Sequence, residues 1–177
     1  GIGKVLVVPY YTAQTEHATL INIVNIDTVN GKALKVRFRG AANSDDVYDF
    51  QLFLSPGDVW AANVSQDAAT GLAKLTTNDS SCTKPASVNG TFVTQRLRAA
   101  WSAEKKAENT REGYVEILNM GDVPPSRAAI TGETGSTING LPDQVTNELY
   151  TAIKHVKGAT PPCSGTAWTT LDKDRAT

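Results

Sequence analysis

Two stretches of strict alternation constrain the fold of this chain more than any other feature. In Lys32–Arg39, Leu34, Val36 and Phe38 alternate with Lys35, Arg37 and Arg39. In Val47–Leu54, Tyr48, Phe50, Leu52 and Leu54 alternate with Val47, Asp49, Gln51 and Phe53. A two-residue period sends successive side chains to opposite faces of a strand, so each stretch offers one face to a core and one to water. One wetted face is the mark of an antiparallel sheet. The pattern predicts a mainly β chain, an antiparallel β-sandwich (Ig-like or jelly-roll-like) with one or two short helices.

The remaining elements follow from local signals. Lys4–Tyr11 opens with the unbroken apolar run Val5–Val8, which reads as a strand covered on both faces, with Pro9 restricting its ladder. Thr19–Asn25 reads as a strand with Ile21 and Ile23 on one side and Leu20 and Val24 on the other. Asn30-Gly31 is a hairpin signal leading into Lys32–Arg39. Gly40–Asp46 is a polar turn, and Ser55-Pro56-Gly57-Asp58 is a β-turn before a strand, Val59–Val64, that carries Trp60. Gly71–Thr76 and Thr91–Thr94 read as short strands, Arg96–Lys106 as a short helix, and Tyr114–Met120 as a strand. Gly121–Asn139 is a loop crossing the sheet. Pro142–Lys157 has Pro142 at the first helical position, Val145, Leu149, Ile153 and Val156 at helical spacing, and Gly158 as its stop. Ala159–Thr177 reads as irregular. The organisation expected is an amino-terminal strand, 1–12, followed by a single sandwich domain, 13–177.

At 177 residues the chain suits one domain, and a body of that size buries roughly 70% of its unfolded surface. The net charge is −1 with no cationic block, which argues against a nucleic-acid or anionic-membrane surface, since either needs clustered cations. No apolar run approaches the ~20 residues that span a bilayer. An exported protein is expected to have lost its signal segment, and a first residue of Gly1 rather than Met fits that expectation. Cys82 and Cys163 are its two cysteines, each in a polar, turn-rich context that suits a disulfide in an oxidising compartment. Closing the roughly 80 residues between them would contribute up to ~4.5 kcal/mol through loop entropy.

Reactive constellations are weak throughout. Gly1-Ile2-Gly3-Lys4 lacks the preceding strand and following helix of a phosphate loop, and reads as a tether. His17 and His155 have no second ligand at metal spacing, and His155 falls near a helix C-terminus that favours a cation. Asp45, Asp46 and Asp49 cluster without the regular spacing of a calcium loop. No Gly-x-Ser-x-Gly elbow occurs, and neither cysteine has a nearby base. Trp60, Trp101 and Trp168 read as core or interface residues before sugar platforms. Asn63, Asn78 and Asn89 match the glycosylation pattern. The chain is therefore expected not to be an enzyme, with no catalytic, cofactor or metal residues.

Several ordered blocks carry a resemblance. Val8-Pro9-Tyr10-Tyr11-Thr12, Leu20-Ile21-Asn22-Ile23-Val24-Asn25, Lys35-Val36-Arg37-Phe38 and Asp49–Trp60 resemble a family of exported proteobacterial "cell surface" proteins. Thr76–Cys82 and Thr110–Ile117 are similar to its later blocks. The resemblance implies export, a location at the bacterial cell surface and a β-rich fold, and it transfers no catalytic residue. Members of that family run beyond the second cysteine, so the chain would correspond to a shortened form or an amino-terminal portion.

The function expected is that of an extracellular structural subunit of a pilus-like surface fibre, a homo-polymer assembled by strand complementation. The donor would be the amino-terminal strand, with Val5, Leu6, Val7, Val8 and Tyr10 as interface residues. A head-to-tail contact of that kind need not close, so it propagates a filament. The alternative is an adhesin that recognises a surface glycan, matrix or protein through loops such as Asp122–Asn139.

Overall fold

The alternating stretches become one antiparallel ladder inside a two-sheet body. The computed structural model describes residues 3–126, 137–138, 141–142, 148–155 and 163–171. The first sheet has five strands in the order β1 (Val5–Thr12), β9 (Glu112–Val123), β3 (Gly31–Gly40), β4 (Asp46–Leu54) and β7 (Cys82–Lys84). The second has four, in the order β2 (Thr19–Val24), β5 (Val59–Gln66), β6 (Ala73–Thr76) and β8 (Gly90–Thr91). Every neighbouring pair is antiparallel. The expected sandwich is what the chain forms.

The inward faces are those the period predicts. Val36, Phe38, Phe50, Leu52 and Leu54 of the first sheet are buried in one core with Ile21, Ile23, Trp60, Val64 and Leu75 of the second. Each such side chain contributes about 1.5–3 kcal/mol by leaving water. At one end Tyr11, Phe38, Tyr48 and Phe92 form a ring cluster, with Tyr48 stacked on Phe92 at 4.9 Å between centroids. The opposite face of β3 and β4 is charged. Lys35 pairs with Asp49, and Arg39 Nε donates to Glu116 Oε2 at 3.0 Å. At Gly113 the β9 backbone passes so close to β3 that a Cβ would run into the Arg39 carbonyl oxygen.

The disulfide joins Cys82 to Cys163, with Cα atoms 5.4 Å apart across a separation of 81 residues. It holds a second, smaller core on the outside of the first sheet, where Phe53 meets Ile153, Val123 and Trp168. Trp168 meets Phe53 edge-on at 5.0 Å, and the Lys84 ammonium lies 4.2 Å from the Trp168 ring centre. Cys163 N–H donates to the Ala152 carbonyl, tying the disulfide to helix α2 (Glu148–Ile153).

Several local expectations are corrected. Cys82 is a fully buried residue of β7, not a loop cysteine, because the α2 segment and α3 (Thr166–Thr170) cover it. Asn30-Gly31 does not turn a hairpin: β2 and β3 belong to different sheets. The buried Asn25 side chain redirects the chain there, donating to the carbonyls of Asn30 and Ser55 at 2.9 Å each. The helix expected over Arg96–Lys106 lies further on, as α1 (Ala103–Thr110), because Ser102 caps it by accepting from Lys105 N–H. Pro142 is not a helix start but part of β11 (Leu141–Pro142), which pairs with β10 (Thr137–Ile138). Of the helix expected to 157, Glu148–Ile153 is observed, whereas Val145 and Val156 lie outside the described residues. Gly1 and Ile2, most of 122–139 and most of 159–177 also lie outside them.

Candidate functional site

The chemistry-bearing residues do not converge. Asp46 is paired with Arg96 at 2.8 Å and Asp49 with Lys35 of β3, so two of the three clustered carboxylates already face a cation. His17 Nδ1 lies 3.0 Å from the Gln14 carbonyl oxygen, to which it can only donate, and His155 lies 3.7 Å from Asp58. Among the described residues no group of three or more His, Cys, Asp or Glu is placed to share a metal ion. Trp60 and Trp168 are buried, so neither presents an open ring to a sugar. Trp101 packs against the main core.

What does converge is a margin. β1 ends the five-stranded sheet and β2 ends the four-stranded one, and among the described residues nothing pairs with either outer edge. The two edges lie on the same side of the sandwich. Thr12 N–H donates to Thr19 Oγ1 and the Thr19 hydroxyl donates to the Thr12 carbonyl, both at 2.9 Å, binding the end of β1 to the start of β2. The residues expected in a donor strand therefore have a partner in their own chain: Val5 faces Leu118, Leu6 faces Ile117, Val7 faces Glu116 and Val8 faces Val115.

The expectation that Val5–Val8 is covered on both faces is overturned. Leu6 and Val8 pack inward, but Val5 is 63% exposed, Val7 57% and Tyr10 56%. The cause is the edge position: no helix or loop among the described residues covers that outer face. A register shift between Val8 and Tyr11, at Pro9-Tyr10, then turns Tyr11 into the core.

β2 is the less guarded margin. Its six residues, Thr-Leu-Ile-Asn-Ile-Val, carry no charge, no proline and no bulge. Leu20 is 76% exposed on its outer face, with Val24 and then Ile26 beyond it. Edge strands are usually guarded by lysines, prolines or bulges, because an open ladder of N–H and C=O groups recruits another strand. β1 has Pro9 and a bulge, whereas β2 has no such guard.

Between the two margins the sandwich is open. A cleft of about 530 Å³ is lined by Leu6 of β1, Ile23 of β2, Leu34 of β3, Leu54 of β4 and Ile117 of β9. Its lip is ionic. Lys32 Nζ lies 2.8 Å from both Asp27 and Asp122. The Asn30 N–H, the Lys32 ammonium and the Val29 N–H hold the Asp27 carboxyl well below the usual carboxylate range. Asp122 is lowered as well, first by its hydrogen bond from Lys32. Burial pulls Lys32 down, but the bonds to Asp122 and Asp27 outweigh it and raise it.

Sequence reasoning missed two residues of this region. Thr15 and Glu16, between β1 and β2, have φ of 48° and 67°, in the left-handed region that non-glycine residues avoid. No sequence signal marks them, since glycine or asparagine is the usual sign of such backbone. No protein-family model, curated protein or solved structure matches the chain, so the case for the margin rests on its own geometry.

Proposed function

We propose that this chain is a structural subunit of an extracellular surface fibre, joined to further copies of itself through the sheet margins by strand complementation. The single observation that carries the reading is the unguarded β2 edge beside the β1 edge, with an apolar cleft between them. An added strand would complete the ladder with its main chain and set alternate apolar side chains into the cleft. A copy of the same chain suits the site, because its own margin presents Val5, Val7, Leu20 and Val24 outward. The disulfide fits an oxidising compartment, and no helix among the described residues is long and apolar enough to cross a membrane. The adhesin alternative has less to rest on, since the rings of Trp60 and Trp168 are covered.

The test is assembly. The purified chain at rising concentration is expected to sediment as large species and to appear fibrous in negative stain. Leu20→Lys with Val24→Lys places charge on the outer face of β2, and is expected to keep the circular-dichroism spectrum while abolishing the large species. A chain that stays monomeric at every concentration would remove the reading.

A further inference from the structure

We infer that the element passed between copies is β1 itself, with the 13–18 turn as its hinge, so that β1 of one chain pairs with β9 of the next. This rests on the reading above that copies join by strand complementation, and it keeps the amino-terminal strand as donor but assigns a different acceptor, the β9 edge that β1 vacates rather than the open β2 edge.

Three observations carry it. First, β1 is terminal in its sheet, so it can leave without breaking another pairing. Second, the ladder from Val5 to Thr12 against Leu118 to Glu112 is the same set of contacts whether the two strands belong to one chain or two. Those contacts cancel in the comparison, which makes exchange of an identical element a low-cost route to assembly. Third, what does not cancel is the turn. Thr15 and Glu16 are successive non-glycine residues in left-handed backbone, and Thr15 is β-branched, for which that conformation is especially unfavourable. A short strained hinge favours the extended, exchanged form, where both residues return to ordinary backbone. The Thr12–Thr19 hydrogen bonds oppose opening, but Thr19 is partly exposed and water can replace them.

The exchanged strand would carry Tyr11 with it. In the closed chain that ring is fully buried against Phe38 and Phe92, and its hydroxyl donates to the Thr110 carbonyl at 3.0 Å. In the exchanged form the same ring docks in the neighbour, which fixes the register of the transfer at one position.

The experiment uses two full-length chains, one with Val5→Cys and the other, isotopically heavy, with Leu118→Cys, since Val5 and Leu118 face each other across the ladder. After mixing under assembly conditions and mild oxidation, mass mapping is expected to find residue 5 of the light chain bonded to residue 118 of the heavy one. Adding Thr15→Gly to both chains is expected to lower that yield several-fold. A single chain carrying both cysteine substitutions, oxidised before assembly, is expected to remain monomeric. Fibres that form without the inter-chain 5–118 link, or from the locked chain, would overturn strand exchange while leaving margin assembly standing. No fibres and no link would overturn both.

Discussion

Tyr11 donates its hydroxyl to the backbone carbonyl of Thr110 at 3.0 Å, so a strand at the rim of the sandwich is anchored by a ring with no exposed surface. Thr110 is itself fully buried, and its hydroxyl accepts from Ala73 N–H of β6 and donates to the Ala107 carbonyl. The tie therefore runs from β1 through the end of α1 to the second sheet. Burial, and after it the charge of Glu112, raises the Tyr11 phenol far above its ordinary value, so it remains a neutral donor. Tyr11→Phe keeps the ring and removes the donor, leaving the Thr110 carbonyl without its side-chain partner. The expected loss is about 1–2 kcal/mol in a urea-unfolding measurement. Tyr11→Ala would also empty the ring site and cost about 3–5 kcal/mol. A Tyr11→Phe variant as stable as the parent would show that the hydrogen bond contributes nothing.

The ionic lip predicts an acid limb in stability. Asp27 and Asp122 have folded pKa values below the ordinary aspartate value. In acid the unfolded chain then binds more protons than the folded one, so stability rises with pH. The contribution is fully present above the unfolded value of about 3.9 and is lost as pH falls below it. Lys32, raised, contributes below the ordinary lysine value of about 10.4 and loses that contribution only at higher pH. The Asp27→Asn variant should show a flatter dependence of urea midpoint on pH between about 2 and 5 than the parent. Added salt should shrink the difference, since these carboxylates are near solvent. Parallel curves for parent and variant would exclude Asp27 as the source.

Reduction of the Cys82–Cys163 bond is expected to release the outer core while leaving the sandwich core in place. The bond holds Trp168 against Phe53, yet neither residue belongs to the cluster between the sheets. Cys82→Ala with Cys163→Ala should cost about 2–4 kcal/mol and shift tryptophan emission to the red. Trp168→Phe in the same background should abolish the shift, because Trp60 stays in the inter-sheet core. An unshifted emission would mean that the cluster holds without its covalent tie.

How much of this was legible in the sequence depends on how local the cause is. The strands β3 and β4 declare themselves because Lys35, Arg37, Asp49 and Gln51 face water while Val36, Phe38, Phe50 and Leu52 do not. Ile21 and Ile23 against Leu20 and Val24 separate correctly for the same reason. Sheet membership is not local. Asn30-Gly31 carries a hairpin signal, but one buried side chain, Asn25, sends the segment across to the other sheet. The run Val5–Val8 looks like an interior strand, yet β9 places β3 on its other side and leaves β1 at the rim. The polar surroundings of Cys82 suggest a loop, because Trp168 and Ile153, which help to bury it, come from the far end of the chain. The open margin was half legible: β2 contains no guarding charge, but only the sheet order makes it an edge.

The strain between β1 and β2 gives the last prediction. Left-handed backbone costs a residue with a Cβ about 1–2 kcal/mol, and Thr15 sits there at φ 48° with Glu16 following at 67°. Glycine removes that cost but loses about 0.5–1 kcal/mol to the greater freedom of the unfolded chain. Thr15→Gly should therefore leave the closed monomer unchanged or up to about 1.5 kcal/mol more stable, read from the urea midpoint below the assembly concentration. Glu16→Gly should act in the same direction. Thr15→Pro tests the opposite sign, because proline holds φ near −65° and forbids the observed turn. It should destabilise the closed monomer and increase assembly at equal concentration. If Thr15→Gly and Thr15→Pro move monomer stability in the same direction, the turn does not store the strain that its backbone angles imply.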